Sequence, residues 1–270
     1  MSAPPARVRA WLAALALSVS APAFGQSTSP PATAQPTAAE TITKRLDPTD
    51  FKSRFETRLE YQSLQDDRGS KTLLVPRYEH AFSKMLGARI ELPYVWVDPD
   101  RPGMSGEHGI GDMVLRLNYR ATRGAGYAVV LAPELALDTA SDDRLGTGKY
   151  VFQPTLYASI DAPQYKSVVF PFVQQFWSIA GDDDRDDINT TLLRVGLLSR
   201  WPNRIYTFVE PSLYVDWERD ADTGFTLEVE IGRLMTRDLA IWARPGVGVY
   251  GDLPGIYDWN FEVGFRYFLD

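Results

Sequence analysis

The chain contains no cysteine and only two histidines, His80 and His108. Without thiols there is no disulfide framework, no thiolate metal site and no lipid-modified N-terminal cysteine, so a lipoprotein is excluded. Long apolar runs are missing too: after the first 25 residues nothing approaches the roughly 18 consecutive apolar residues of a membrane-spanning helix. Basic residues are outnumbered, 28 Lys and Arg against 35 Asp and Glu, for a formal net charge of -7. That balance offers no cationic footprint to a phosphate backbone, which sets DNA and RNA aside as partners.

What is present begins with an export pattern. Arg7 and Arg9 precede an apolar run from Trp11 to Val19, and small residues follow from Ala21 to Gly25, the layout of a cleaved signal peptide over residues 1–25. Its apolar core is too short to cross roughly 30 Å of hydrocarbon as a helix. Residues 26–49 are rich in Ser, Thr, Pro, Ala and Gln and cannot bury enough apolar surface to offset chain ordering, so a disordered periplasmic lead-in is expected there.

From residue 50 to 270 the pattern changes to alternation. Phe55, Thr57, Leu59 and Tyr61 share one face of an extended segment and Arg54, Glu56, Arg58 and Glu60 the other, two sets that a helical period would mix. The same pattern predicts strands near 52–64, 71–82, 85–97, 110–121, 126–138, 149–161, 166–180, 188–201, 205–217, 225–235, 239–251 and 257–269. A soluble β-sandwich also shows period-two strands, but it has no reason to alternate its loop lengths. Here tight connections at Ser83–Lys84, Thr122–Ala125, Ala162–Tyr165, Pro202–Arg204 and Thr236–Asp238 alternate with mostly longer ones at 65–70, 98–109, 139–148, 181–187, 218–224 and 252–256. Tyr119, Tyr127 and Trp201 flank the tight turns, and Trp96, Trp217 and Trp259 the long loops, as interfacial girdles require. The expected fold is all-β: a single antiparallel transmembrane β-barrel of about 12 strands with both termini periplasmic. Its setting would be a Gram-negative outer membrane, with outer-membrane lipid and lipopolysaccharide as partners. No sequence feature sets an oligomeric state.

Parity also assigns the lumen. Met113, Leu115, Leu117 and Tyr119 point one way and Asp112, Arg116, Asn118 and Arg120 the other; Leu86 to Trp96 oppose Arg89 and Glu91; Phe261 to Tyr267 oppose Glu262 and Arg266. With Arg58, Glu60, Arg77, Glu79, Glu134, Arg194, Glu210, Glu228, Glu230 and Arg244, these charges are the candidate pore-lining residues. They describe either a charge-lined water-filled passage or salt bridges filling a narrow interior. Pro76, Pro93, Pro133, Pro154, Pro171, Pro211 and Pro245 fall inside strands, where each removes a ladder hydrogen bond, so bulges or kinks are expected at those depths.

The stretch Gly109-Ile110-Gly111-Asp112, followed by Leu115, Leu117, Tyr119 and Arg120, and then Leu137-Asp138-Thr139 and Leu145-Gly146-Thr147-Gly148-Lys149, resembles the outer-membrane family labelled "MetA-pathway of phenol degradation". The likeness is best over roughly 100–160. It departs at Asp138-Thr139-Ala140, where the family has Pro-Thr-Gly, and at a C-terminus without a final aromatic. It implies a transporter-like barrel associated with small, often hydrophobic or aromatic, solutes, and no catalytic residue.

Other chemistry is sparse. A lipid hydrolase would have to be built on His108 beside Ser105 and Glu107, because parity puts His80 on the lipid side. Gly146-Thr147-Gly148-Lys149 lacks the earlier glycine and the final Ser or Thr of a phosphate loop, and no other cofactor motif occurs. The run Asp182 to Asp187 lacks calcium-loop spacing and is expected as a solvated outer loop. The leading expectation is a passive channel for small-molecule solutes; the alternatives are a plugged structural or adhesion barrel and a surface lipid hydrolase.

Overall fold

The computed structural model describes Ile42 and residues 45–269. The expected signal peptide and most of the expected lead-in lie outside the described residues. The pairing segments are β1 (Arg54–Leu64), β2 (Ser70–Ala81), β3 (Leu86–Glu91), β4 (Tyr94–Asp98), β5 (Glu107–Ile110), β6 (Val114–Gly124) and β7 (Tyr127–Ala136). They continue as β8 (Lys149–Ala162), β9 (Ser167–Gly181), β10 (Asn189–Arg200), β11 (Ile205–Asp216), β12 (Asp222–Leu234), β13 (Leu239–Tyr250) and β14 (Tyr257–Phe268). β3 and β4 both pair with β2, while β6 pairs with β3 and β5 with β4, so each couple is one barrel strand interrupted once. The interruptions are Leu92-Pro93 and Gly111 to Met113. β1 pairs with both β2 and β14, which closes twelve antiparallel staves into a ring. Closure leaves no sheet edge, the condition for strands to sit in lipid.

The alternation of faces is as parity required. Phe55, Leu59, Tyr61, Leu115, Leu117, Tyr119, Phe261, Val263 and Phe265 are exposed on the outside, while Glu56, Glu60, Asn118, Arg120 and Glu262 are buried within. All six aromatics expected in girdles are exposed. The chain enters β1 and leaves β14 at the end that carries the tight turns.

Two expectations are corrected. The register shifts fall at Ser63/Leu64, Arg120/Thr122, Tyr150/Val151 and Phe225/Thr226, none of them at a proline. Pro133 stands directly opposite Pro154 in unshifted register, and pairing lapses beside Pro154, Pro171, Pro211 and Pro245 before resuming. At the prolines the wall gives up hydrogen bonds rather than adding residues. Only Pro93 interrupts a stave outright.

The second correction concerns the end of the lead-in. Ile42 is 1% exposed and Thr49 is fully buried. Ile42 and Leu46 pack among Val168, Phe170, Leu198, Tyr206, Leu234, Ala240 and Trp242, an apolar patch of the lumen. Composition hid this, since two apolar residues four apart in a polar stretch fill an inward pocket only after the barrel has made one.

Candidate functional site

Most of the inward charges form one connected belt. Arg77 bridges Glu56 (3.1 Å) and Glu91 (2.9 Å); Arg89 joins Glu91 (2.9 Å) to Glu134, and Arg116 bonds the same Glu134 carboxylate at 2.6 Å. On the other side of β1, Arg266 bonds Glu56 and Glu230, both at 2.6 Å, while Arg244 bonds Glu230 (2.6 Å) and Glu228 (3.3 Å). Arg58 lies between Glu60 (3.7 Å), Glu91 (3.6 Å) and Glu262 (4.0 Å). Gln174 donates to Glu134 and to Gln153, both at 3.1 Å, and so carries the belt across β8 and β9. Arg54 pairs with Glu79 (2.8 Å), and Arg194 with Glu210 (3.2 Å) while lying 4.1 Å over the ring of Phe172. Such charge-assisted bonds stiffen an interior that desolvation would otherwise penalise.

Asp112 and Arg120 stand apart from both the belt and these isolated pairs. Asp112 accepts from the backbone N–H of Thr139 (3.3 Å), Ala140 (3.2 Å) and Thr147 (2.7 Å) and from the Thr147 hydroxyl (3.0 Å). It pins the 137–148 connection over the break between β5 and β6, where Leu145 is buried. Arg120 instead donates to the Thr49 carbonyl (3.1 Å).

The N-terminal segment is held by more than apolar contact. Arg45 donates to Asp238 (3.0 Å), the Tyr157 hydroxyl to the Pro48 carbonyl (3.2 Å), and Thr49 Oγ1 lies 2.9 Å from Ser159 Oγ. Burial holds the Asp47 carboxyl above its ordinary value, although Thr49 donates both its N–H (2.8 Å) and its hydroxyl (2.7 Å) to it. Asp50 is also penalised by burial, but Lys52 at 2.7 Å, Arg123 and Arg120 outweigh it and hold its carboxyl below the usual range.

Space remains around the belt. A chamber of about 220 Å³ is lined by Arg58, Arg194, Glu210, Tyr214, Glu228, Trp242, Arg244 and Glu262, among others. A smaller one of about 130 Å³ lies between the belt and the N-terminal segment, with Leu46, Pro48 and Phe208 in its wall. The charges outside the wall are polarised. In the long connections Arg68, Arg101, Arg144, Arg185 and Arg219 are outnumbered by Asp66, Asp67, Asp100, Asp138, Asp142, Asp143, the aspartates between 182 and 187, Glu218, Asp220 and Asp252, whereas the tight turns carry Lys84, Lys166, Arg204 and Arg237 against Asp238 alone.

Parity found the charged members but passed over neutral ones at the same inward positions, Gln153, Gln174, Tyr214 and Asn260, which the alternation alone would have located. His108 is in β5, opposite Trp96, and its Nδ1 lies 2.8 Å from the Tyr94 hydroxyl. Glu107 is occupied by Arg144 at 2.6 Å. The expected Glu–His relation of a hydrolase is therefore not assembled. In the acidic run, Asp187 accepts from Lys149 (3.0 Å) and Ser178 (3.0 Å), and these bonds hold its carboxyl below the ordinary value.

A closed ring of twelve staves with a charged lumen and unequal loop lengths is the architecture of outer-membrane barrel channels. Among solved structures the chain is similar to an outer membrane channel from Pseudomonas putida F1 (TM-score 0.64, 13% identity, 81% of this chain and 96% of that one). It is also similar to the NanC porin (TM-score 0.58, 11% identity, 79% and 98%) and the KdgM porin (TM-score 0.52, 12% identity, 79% and 98%). At such identities the likeness establishes the fold. No family model and no curated protein matches the chain, so the likeness to the MetA-pathway family rests on the residues quoted above.

Proposed function

We propose that the protein is an outer-membrane channel through which small polar molecules pass passively, with the long loops facing outward and both termini in the periplasm. The observation that carries this is the chamber of about 220 Å³ inside a closed, charge-lined lumen. A barrel kept only for rigidity has no need of an unfilled polar interior. The charged belt favours polar solutes over the hydrophobic or aromatic compounds that the family resemblance implied.

One observation favours the plugged-barrel reading: the seating of Ile42 and Leu46 in the lumen. In our proposal that segment narrows the passage rather than abolishing it. Planar-bilayer recording of the mature protein and of a form lacking residues 26–49 tests both readings. Small conductance steps that grow on truncation are expected. Silence from both proteins across salt conditions would end the channel reading and leave a structural barrel.

A further inference from the structure

Two of the long connections turn into the barrel instead of standing up from it. The 137–148 connection lies on the inner face of β5: Leu145 is 2% exposed, and a Cβ added at Gly109 would stand 3.0 Å from its Cδ1 and 2.1 Å from the Ser141 Oγ. That face is the lumen side, because Gly109 pairs with the buried Val95, whereas the next pair, Trp96 and His108, is exposed on the lipid side. The 251–256 connection does the same on β12. Leu253 and Ile256 are each 3% exposed, and a Cβ at Gly224 would meet Ile256 at 3.0 Å and Leu253 at 3.3 Å. A strand face without side chains leaves a floor on which another backbone can lie.

β5 belongs to the fourth stave and β12 is the tenth, so the two loops sit half a ring apart. Each turns its aliphatic side chains to the wall and leaves other groups exposed, Asp143, Arg144 and Thr147 in one and Asp252 and Pro254 in the other. The larger loop is also fastened at several points besides Asp112. Ser141 donates its N–H to the Ile110 carbonyl (2.9 Å), Arg144 donates to the Ser105 carbonyl (3.0 Å), and Arg185 reaches across from the next long connection to the carbonyls of Gly146 (3.1 Å) and Thr147 (3.3 Å). A loop held in this way keeps a fixed outline, which a freely moving one does not. The motif residues thereby acquire a joint role: Gly109 is the floor, Leu145 lies on it and Asp112 clamps the loop in place.

We propose that these two loops form the outer size filter of the passage, admitting compact polar solutes and stopping bulky ones, with Asp112 as the positioning residue of the larger loop. The proposal deepens the channel reading, on which its purpose rests.

The chain has no cysteine, so a thiol introduced by Ser212→Cys in the wall of the 220 Å³ chamber reports entry. The purified full chain in detergent micelles is treated with a small and a bulky methanethiosulfonate, and modification at residue 212 is followed by mass spectrometry. The N-terminal segment narrows the other mouth, so the bulky reagent reads the outer one. Asp112→Ala is expected to speed modification by the bulky reagent about tenfold, the effect of losing one net charge-assisted hydrogen bond, with little change for the small reagent. Asp112 lies in the break between β5 and β6, outside the paired segments, and cooperative unfolding checks that its variant keeps the ring.

Gly109→Cys combined with Ser141→Cys supplies the rescue. Their Cβ atoms would lie 3.4 Å apart, near the roughly 3.8 Å of a disulfide, and the exchange removes the hydroxyl that would meet the new Cβ. Oxidising this pair in the Asp112→Ala chain should restore the slow rate, which a general loosening of the barrel would not allow. Bulky-reagent rates that ignore Asp112→Ala, rates that stay fast after cross-linking, or a pair that does not oxidise because the loop is not on this wall, would each overturn the proposal. The expected rates together with a silent bilayer would end the channel reading alone, and conductance with unaltered rates this proposal alone.

Discussion

Asp47 and Asp50 occupy the same short segment and are pushed in opposite directions. Asp50 ionises more readily in place than in a free chain, so its contribution is present above the ordinary carboxylate value of about 3.9 and is lost as pH falls through its lowered value. Asp47 has the raised value, so it favours the seated segment only while protonated and opposes seating as pH rises through that value. At neutral pH one aspartate holds the segment and the other loosens it. Asp47→Asn keeps the oxygen that accepts from Thr49 and removes the buried charge. We expect amide exchange over residues 45–50 to slow by a few-fold in Asp47→Asn and to quicken in Asp50→Asn at neutral pH, with the Asp47 difference fading below about pH 4. Equal effects of the two variants would show that charge does not govern the seat.

Among the strands, the seams beside Pro154 are the weak part of the wall. Two prolines face each other across β7 and β8, and the β8–β9 pairing lapses between Phe152 and Thr155. A missing ladder bond leaves carbonyls without partners in a place where lipid cannot supply them. Amides flanking Pro154 are therefore expected to exchange faster than those around Leu156 and Val173, which are paired. Pro154→Val supplies an N–H and suits the pleated surface, so exchange there should slow and the urea midpoint should rise. Unchanged exchange would mean that water already reaches the seam.

The barrel as an object is electrically polar along its axis. Acidic long loops at one mouth and lysines and arginines at the other set up a field that concentrates cations before they reach the lumen. Reversal potentials in a salt gradient should show cation preference at low ionic strength. That preference should shrink when Asp182, Asp183 and Asp184 are changed to Asn, and should fade near 1 M salt, where screening acts over about 3 Å. Anion preference at low salt would contradict the role given to the loops.

Much of this was legible in one dimension, and the reason is geometric. A strand has a period of two, so Arg58, Glu60, Glu91 and Glu262 had to share a side once Leu59, Ile90 and Phe261 were assigned to lipid, and alternating loop lengths then led to a barrel. Periodicity says which way a side chain points but not what it meets. That Asp112 caps a loop, that Arg120 turns to Thr49, that Glu210 faces Glu228 and that the prolines sit without bulges all depend on how neighbouring staves and loops are set against one another. The seat of Ile42 and Leu46 needed even more, because the pocket that receives them is made by five other strands. Facing direction is a local property of the backbone, whereas ion-pair partners, the chamber between them and the segment that narrows the lumen exist only after the ring has closed.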